Sequence, residues 1–322
     1  MRRRELITIL GGAAFASPLM TWAQQATRTY RIGYLAHAKI PHLIDALHKG
    51  LRELGYIEGQ NLNVEYRFGS PETLDALAAE LVRLKPDAIV TVATPAVIAA
   101  KRATTVIPIV MATAGDPLRS GVVESLARPG GNVTGVTLYG SELTQKRLEV
   151  FKEAVPSISR LAILSNASNP YHEPLWQETQ IGGQALGIAV HLFNVKEPDE
   201  LAAVFTTMAR DGADGLVVLS DAKFNAQRRQ ICELVAKLQL PAMYEAAEFV
   251  EAGGLMSYGP DIAEMSRRSA PYIVKVLSGI KPANLPIEQP TRFDLVINIK
   301  TARALGLTLP ATLLARADHI IE

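Results

Sequence analysis

The sequence predicts an α/β fold with two doubly wound parallel-sheet lobes joined by a multi-strand hinge. Short β-rich runs alternate with longer helical patterns along the chain, and the strand runs are apolar on both faces, as a helix-covered sheet requires. The same order of elements restarts midway through the 322 residues. This length exceeds the usual size of a single hydrophobic core, so two lobes are the natural expectation.

The first 23 residues have the pattern of an export signal. Three arginines precede an apolar run from about Leu6 to Met20, and small residues follow at the expected cleavage point. Because the run is too short for a stable membrane anchor, we expect cleavage after Ala23 and a periplasmic mature protein. The pair Arg3-Arg4 fits a twin-arginine signal. A general-pathway signal that carries three arginines is the alternative.

The first half of the mature chain alternates strand and helix patterns. In chain order these read RIGYLA, HLIDALHKGLREL, NLNVEYRF, LDALAAELVRL, DAIVTVA, PAVIAAKRA, PIVMAT, LRSGVVESLA and NVTGVTL. Strands separated by helices of about ten residues form βαβ units with parallel strands. We therefore expect one parallel sheet in this half.

The second half repeats this order. The segment from Pro71 to Thr94 aligns without a gap on the segment from Pro198 to Asp221, and RIGYLAHA aligns on RLAILSNA. Chance agreement between short apolar strands is the alternative. We interpret the match as two lobes with the same βαβαβ topology.

The chain after PAMYE does not fit into a single lobe. It continues with GGLMSYGP, an amphipathic helix from Asp261 to about Ser278, the extended stretch PANLPIEQP and a last strand, LVINI. Asp261 and Glu264 have capping-box spacing at the start of that helix. The Gly- and Pro-rich loops predict crossings between lobes. We expect lobe 1 at residues 24–138 plus 256–283, and lobe 2 at residues 139–255 plus 284–322.

Composition excludes several classes of function. The formal net charge is +1, and removing the signal, with three arginines and one glutamate, leaves about −1. Nucleic-acid binding needs a basic stripe, which is not visible here. The single cysteine, Cys232, cannot form an internal disulfide and is expected to be a small buried apolar residue.

Candidate binding residues follow the predicted strands, because open parallel sheets bind ligands beyond the carboxyl ends of their strands. Thr94 begins a helix whose free N–H groups favour an anionic group. Asp116 repeats this arrangement, and Asp221 stands at the position that matches Thr94. A hydroxyl and free amides opposite a carboxylate fit a zwitterion. Ordinary helix caps with nothing bound are the alternative for all three positions.

Further candidates lie near strand ends. Asn166 ends the first strand of lobe 2 at the position that matches His37, and either side chain could bind a ligand, although Asn is also common in turns. Aromatic walls with polar tips suit an organic ligand, whereas half-buried packing is the ordinary role of such rings. The tyrosines at or near strand ends are Tyr34, Tyr171, Tyr244 and Tyr258.

Patterns for catalysis are weak. The chain contains no Walker loop, dinucleotide fingerprint or G-x-S-x-G elbow. The spacing of His37, His42 and His48 does not place three imidazoles on one helical face, so we expect no metal site. We predict no catalytic residue and no cofactor. An exported two-lobe enzyme that uses His37 or Asp116 as a base is the alternative, and a ligand-presenting sensor is another.

Three long segments resemble one family. They are VMATAGDPLRSGVVESLARPGGNVTGVT, the stretch from GGLMSYGP to ALGLTLP, and the tail LLARADHIIE. They are similar to the ABC-transporter substrate-binding proteins of the tryptophan/tyrosine-import type. The resemblance implies a type I periplasmic-binding fold, three crossings, and a ligand enclosed when the lobes close.

By position, the resemblance places ligand contacts in the loops after the strands. In this sequence the corresponding residues are Tyr34, Thr94, Thr113, Asp116, Asn166, Asp221, Tyr244, Ser257 and Tyr258. The resemblance implies a non-catalytic monomer that binds a small organic solute, an amino acid or carboxylate with an aromatic one among the candidates. The expected partner is an ABC permease in the inner membrane.

Overall fold

A computed structural model describes residues 28–138 and 141–322. The predicted export signal at residues 1–23 lies outside the described residues. The first sheet is parallel throughout and has the strand order β2-β1-β3-β4-β5. Its strands are β1 (Tyr30–Ala36), β2 (Leu62–Phe68), β3 (Ala88–Val92), β4 (Ile109–Thr113) and β5 (Val133–Gly135). The helices that follow its first three strands are α1 (Pro41–Glu53), α2 (Pro71–Arg83) and α3 (Thr94–Ala103).

The second sheet has seven strands in the order β12-β11-β10-β9-β8-β6-β7, and only the pair β10 and β11 is antiparallel within the described sheet. Its strands are β6 (Arg160–Ser165), β7 (Ala189–Asn194), β8 (Gly215–Val218), β9 (Ala242–Tyr244), β10 (Met256–Gly259), β11 (Asp294–Asn298) and β12 (His319–Ile321).

The remaining helices connect these strands or cross between the sheets. They are α4 (Ser141–Ala154), α5 (His172–Ala185), α6 (Leu201–Arg210), α7 (Ala222–Ala226), α8 (Arg228–Lys237), α9 (Ala247–Glu251), α10 (Ile262–Arg268), α11 (Ala270–Leu277), α12 (Ile299–Ala304) and α13 (Ala311–Leu314). Short 3-10 helices lie at Pro198–Glu200 and Pro282–Asn284.

The predicted internal repeat is present in the fold. The orders β2-β1-β3-β4-β5 and β7-β6-β8-β9-β10 are the same, and helix α2 matches the 3-10 helix and α6 together. Thr94 begins α3 after β3, and Asp221 caps α7 after β8. The predicted α/β class with two parallel-sheet lobes is therefore confirmed.

The expected lobe boundaries are wrong at two short segments. Strand β10, which we assigned to lobe 1, pairs with β9 and β11 in the second sheet. Residues 285–288, which we assigned to lobe 2, lie along β5, where Glu288 donates its N–H to Gly135 O at 2.9 Å. Both differences have one cause. A Gly- or Pro-rich loop marks that the chain leaves a sheet, but it does not fix the residue at which the crossing occurs.

The segment from Asp261 forms two helices rather than the single predicted helix. Asp261 Oδ1 accepts from the Glu264 N–H at 2.8 Å and caps α10 as predicted. Pro271 lies in the first turn of α11, where proline is tolerated but ends a preceding helix. Both helices pack on α1 of the first lobe, and Ser266 Oγ donates to Leu43 O at 2.9 Å. This segment therefore completes the first lobe.

Candidate ligand-binding site

A cleft lies between the lobes at the carboxyl ends of both sheets. Its empty volume is about 590 Å³, which includes space open to solvent. The first lobe contributes the ends of β3 and β4, the start of α3 and one face of α1, while the second contributes the ends of β8 and β9 and the loops that follow them. This is the position at which an open parallel sheet binds ligands.

The polar part of the cleft centres on Asp221. Its Oδ2 accepts from Asn169 Nδ2 at 2.8 Å and from Asn166 Nδ2 at 3.1 Å, and its Oδ1 accepts from the Lys223 N–H at 2.8 Å. The side chain is 0% exposed. Direct contact between this carboxylate and a ligand ammonium would therefore require its donors to move. The cap that was the alternative interpretation of Asp221 is present.

Thr94 lies across the cleft from Asp221 at the start of α3. Its Oγ1 accepts from the Gly115 N–H at 3.0 Å rather than capping its own helix. The residue before it, Ala93, has φ 69° and ψ 151°, a backbone conformation that strains any residue except glycine. Because Oγ1 already accepts one hydrogen bond, the hydroxyl hydrogen is the group that Thr94 can offer to a ligand.

Glu245 provides a second carboxylate, directly after β9. Arg147 of α4 donates from Nη1 to Glu245 Oε1 at 2.9 Å and from Nε to Tyr258 O at 2.6 Å. The two side chains are only 6% and 7% exposed. A buried ion pair of this kind fixes the position of the carboxylate at the cleft wall.

The lobes touch at both sides of the cleft. Arg119 Nη1 lies 2.6 Å from Glu178 Oε1 of α5, and His42 Nε2 of α1 lies 2.9 Å from Glu248 Oε1 of α9. Between these contacts, the Tyr171 ring covers Gly115 so closely that a Cβ at position 115 would overlap it. The structure therefore has the lobes closed against each other.

Of the predicted binding residues, Thr94, Thr113 and Asp221 line the cleft. Asn166 lies behind the wall, where it donates to Asp221. Asp116 does not line the cleft. Its Oδ1 accepts from the N–H groups of Leu118 and Arg119. Residues 117–121 form a turn and not the start of the expected helix, so Asp116 stabilises a turn and the helix cap that was the alternative is not formed.

The other four predicted residues do not line the cleft, and this is a correction. Tyr34 is 1% exposed and packs against Tyr66 and Phe68, because it lies within β1 rather than at its end. Burial raises the pKa of its hydroxyl well above the ordinary value. The Tyr244 ring stacks on Phe249 at 4.7 Å between ring centroids. Ser257 and Tyr258 lie in β10, with Ser257 1% exposed and the Tyr258 ring against Phe293.

Sequence reasoning missed several residues that line the cleft. Glu245 directly follows Tyr244. Because successive residues of a strand face opposite sides of the sheet, Glu245 lies at the cleft wall whereas Tyr244 lies in the core. The prediction of Tyr244 therefore missed the lining residue by one position. The rule that singled out Thr94 and Asp221, a polar residue directly after a strand, would also have found Glu245. Other missed lining residues include Ile40, Leu43, Asn169, Asn225, Phe249 and Ile262.

Within 28–138 and 141–322, no three His, Cys, Asp or Glu side chains are grouped so that they could hold a metal ion. No helix in the same ranges combines the length and apolar character needed to cross a bilayer.

Known proteins resemble this chain over most of its length. The family model for "ABC transporter substrate binding protein" matches residues 32–321. The tyrosine-binding protein of Clostridioides difficile (strain R20291) is 24% identical over 261 residues, which cover 80% of this chain and 75% of that protein.

Two solved structures share the fold closely. The ABC domain in complex with L-Trp from Streptococcus pneumonia has a TM-score of 0.84 and 29% identity, covering 91% of this chain and 100% of that chain. A conserved domain protein from Vibrio cholerae O1 biovar El Tor has a TM-score of 0.86 and 27% identity, with the same coverage. With the family model spanning both lobes and the cleft between them, the chain belongs to the ABC transporter substrate binding protein family.

Proposed function

We propose that this protein captures an aromatic α-amino acid in the cleft and delivers it to an ABC permease in the inner membrane. The observation that carries the proposal is that the cleft combines apolar side chains from both lobes with two carboxylates and a threonine hydroxyl. Two relatives support the same ligand class, since one is named for tyrosine and another is a complex with L-Trp.

The apolar side chains suit a large ring. Ile40, Leu43 and Ile262 of the first lobe and Phe249 of the second line the cleft and belong to one hydrophobic cluster. Burying an aromatic side chain in such surroundings contributes about 2–3 kcal/mol relative to water. Because both lobes supply the apolar contacts, the ring gains this energy fully only when the lobes are closed.

The polar side chains suit the zwitterionic end of an amino acid. Among the described lining residues, the charged side chains are Asp221 and Glu245. Glu245 is the better partner for an ammonium, because its Oε1 binds Arg147 while no hydrogen bond to Oε2 is present in the described part of the chain. The Thr94 hydroxyl and the first turn of α3 can receive the carboxylate.

The family and the export pattern at residues 1–23 support the proposed location and partner. We expect a periplasmic protein that exists as a monomer, exported by the twin-arginine route and cleaved after Ala23. A sensor that presents its ligand to a receptor would use the same cleft. Uptake of labelled ligand by cells with and without the gene separates transport from sensing.

Calorimetry of the purified mature protein tests the proposal. Tyrosine, tryptophan and phenylalanine should bind with clear preference over leucine. The desamino analogue 3-(4-hydroxyphenyl)propionate should bind at least about tenfold more weakly than tyrosine, because it cannot form the charge-assisted hydrogen bond at Glu245. Equal affinity for this analogue, or preference for a sugar, would contradict the proposal. Recovery of a chemically altered ligand would favour the enzyme alternative.

A further inference from the structure

Asn225 of α7 is a polar residue of the cleft wall whose buried side-chain oxygen has no hydrogen-bond partner among the described residues. It is only 5% exposed and lines the cleft. Its Oδ1 is inaccessible to water and, among the described residues, has no hydrogen-bond partner. Leaving a buried carboxamide oxygen without a donor costs free energy, so such a group is retained where something else supplies the donor.

Asn169, the other asparagine that lines the cleft, does not lack hydrogen-bond partners in this way. Asn169 uses both ends of its amide, with Nδ2 donating to Asp221 Oδ2 at 2.8 Å and Oδ1 accepting from the Tyr171 N–H at 3.1 Å. Asn169 therefore has a structural role in the second lobe. The Asn225 Oδ1, by contrast, accepts no hydrogen bond from the described residues.

The position of Asn225 indicates which part of the ligand it faces. It lies four residues after Asp221, so it is one helical turn, about 6 Å, along α7 from the polar end of the cleft. Ile40, Leu43 and Phe249 line the same cleft. A group bound at Asn225 thus belongs to the side chain of an amino acid whose ammonium and carboxylate lie at the polar end.

We infer that Asn225 determines specificity by accepting a hydrogen bond from a donor on the ligand's aromatic ring, namely a phenol O–H or an indole N–H. This inference rests on the proposed function. It predicts that tyrosine binds more tightly than phenylalanine, and tryptophan more tightly than 3-benzothienylalanine, in which sulfur replaces the ring N–H. The preference should be about ten- to a hundredfold in each pair, because a ligand without the donor leaves the buried oxygen unpaired.

The test compares these two ligand pairs in wild type, Asn225→Leu and Asn169→Leu by calorimetry, with thermal unfolding of each ligand-free protein. In Asn225→Leu the preference for the donor-bearing ligand should fall to about twofold or less. Its ligand-free melting temperature should be unchanged or higher, because an apolar group of similar shape replaces an unsatisfied acceptor. Asn169→Leu should lower the melting temperature and weaken all four ligands by a similar factor.

The outcomes distinguish this inference from the proposed function. If wild type binds tyrosine and phenylalanine within a factor of two, amino-acid capture stands and the role of Asn225 is wrong. If Asn225→Leu keeps the full preference, the inference is also overturned. If wild type binds none of the four amino acids, both the proposed function and the inference fail.

Discussion

The Tyr171 ring of the second lobe packs directly on Gly115 of the first, and it leaves no space for a side chain at position 115. The ring is buried, which raises the pKa of its hydroxyl far above the ordinary value. The backbone conformation at position 115 is not left-handed, so glycine is required there by the ring above it and not by the turn.

Replacing Gly115 with alanine should therefore oppose closure. The added methyl group must displace the ring, and overpacking of this kind costs about 1–3 kcal/mol. Because an open lobe arrangement relieves the clash, the cost falls on the closed state, and ligand affinity should drop roughly five- to a hundredfold. Calorimetry measures the drop. Gly131→Ala is the matched control, since nothing lies within 4 Å of a Cβ at that position. Unchanged affinity in Gly115→Ala would show that the lobes close without this contact.

The Arg119 and Glu178 pair joins the lobes at one side of the cleft, with Arg119 44% exposed. Arg119→Ala should weaken ligand binding about two- to fivefold in low salt, and the difference from wild type should shrink as salt is raised, because exposed ion pairs are screened. Affinity measured across a salt series tests this. Lys146→Ala removes a comparable exposed pair within α4 and should leave affinity unchanged. A salt-independent loss would mean that Arg119 acts through packing instead.

Removing one partner of the buried Arg147–Glu245 ion pair should lower the free energy of unfolding more than removing both partners together. Arg147→Met leaves the Glu245 carboxylate buried without its cation, which typically costs about 3–5 kcal/mol. Urea unfolding should show this loss of unfolding free energy. The double variant Arg147→Met/Glu245→Leu should recover much of it, because two apolar groups remove the uncompensated charge. A double variant as unstable as the sum of the single variants would rule out this explanation.

His37 should make stability fall in mild acid. Neither ring nitrogen has a hydrogen-bond partner among the described residues, and burial lowers the pKa of His37 below its ordinary 6.5. The charges that act on it are Asp221, Glu72 and Glu197, which favour protonation, and Lys223, which opposes it. The unfolded chain takes up the proton at higher pH than the folded one. The contribution of neutral His37 to the free energy of unfolding is therefore fully present above about pH 6.5 and declines below that pH.

The measurement is the melting temperature between pH 8 and pH 5. His37→Gln should show a smaller decline than wild type over this range. His191→Gln is the control, because His191 lies exposed on β7, and its profile should follow wild type. If His37→Gln declines as steeply as wild type, other groups cause the acid sensitivity.

The sequence was most informative where the two halves repeat each other. The gapless alignment of Pro71 to Thr94 on Pro198 to Asp221 placed α2, α6 and the starts of α3 and α7 correctly, because strand and helix periodicity is a local property. The crossings were less predictable. Strand β10 pairs with β9 and with β11 in the second sheet. Strand β11 lies almost forty residues later in the chain, and no local pattern specifies that pairing.

The sequence predicted where in the fold the cleft lies, but it did not predict most of the side chains that line it. Thr94, Thr113 and Asp221 follow strands, and they line the cleft. Among the candidate tyrosines, Tyr171 lines the cleft. Tyr34 and Tyr244 lie in the core instead, because a ring near a strand end can turn to either face of the sheet. Hydrogen-bond satisfaction, which separates Asn225 from Asn169, depends on the tertiary neighbours of each amide and has no counterpart in the sequence.

Helices α10 and α11 and residues 285–288 have a further consequence for synthesis of the protein. They cover α1 and the edge strand β5, yet they lie near the end of the 322-residue chain. A ribosome that has made only the N-terminal half has therefore produced the first sheet and α1 without the two helices that pack on α1. The first lobe cannot complete its fold until almost the whole polypeptide has been synthesised. Until then it exposes apolar surface to which a chaperone can bind.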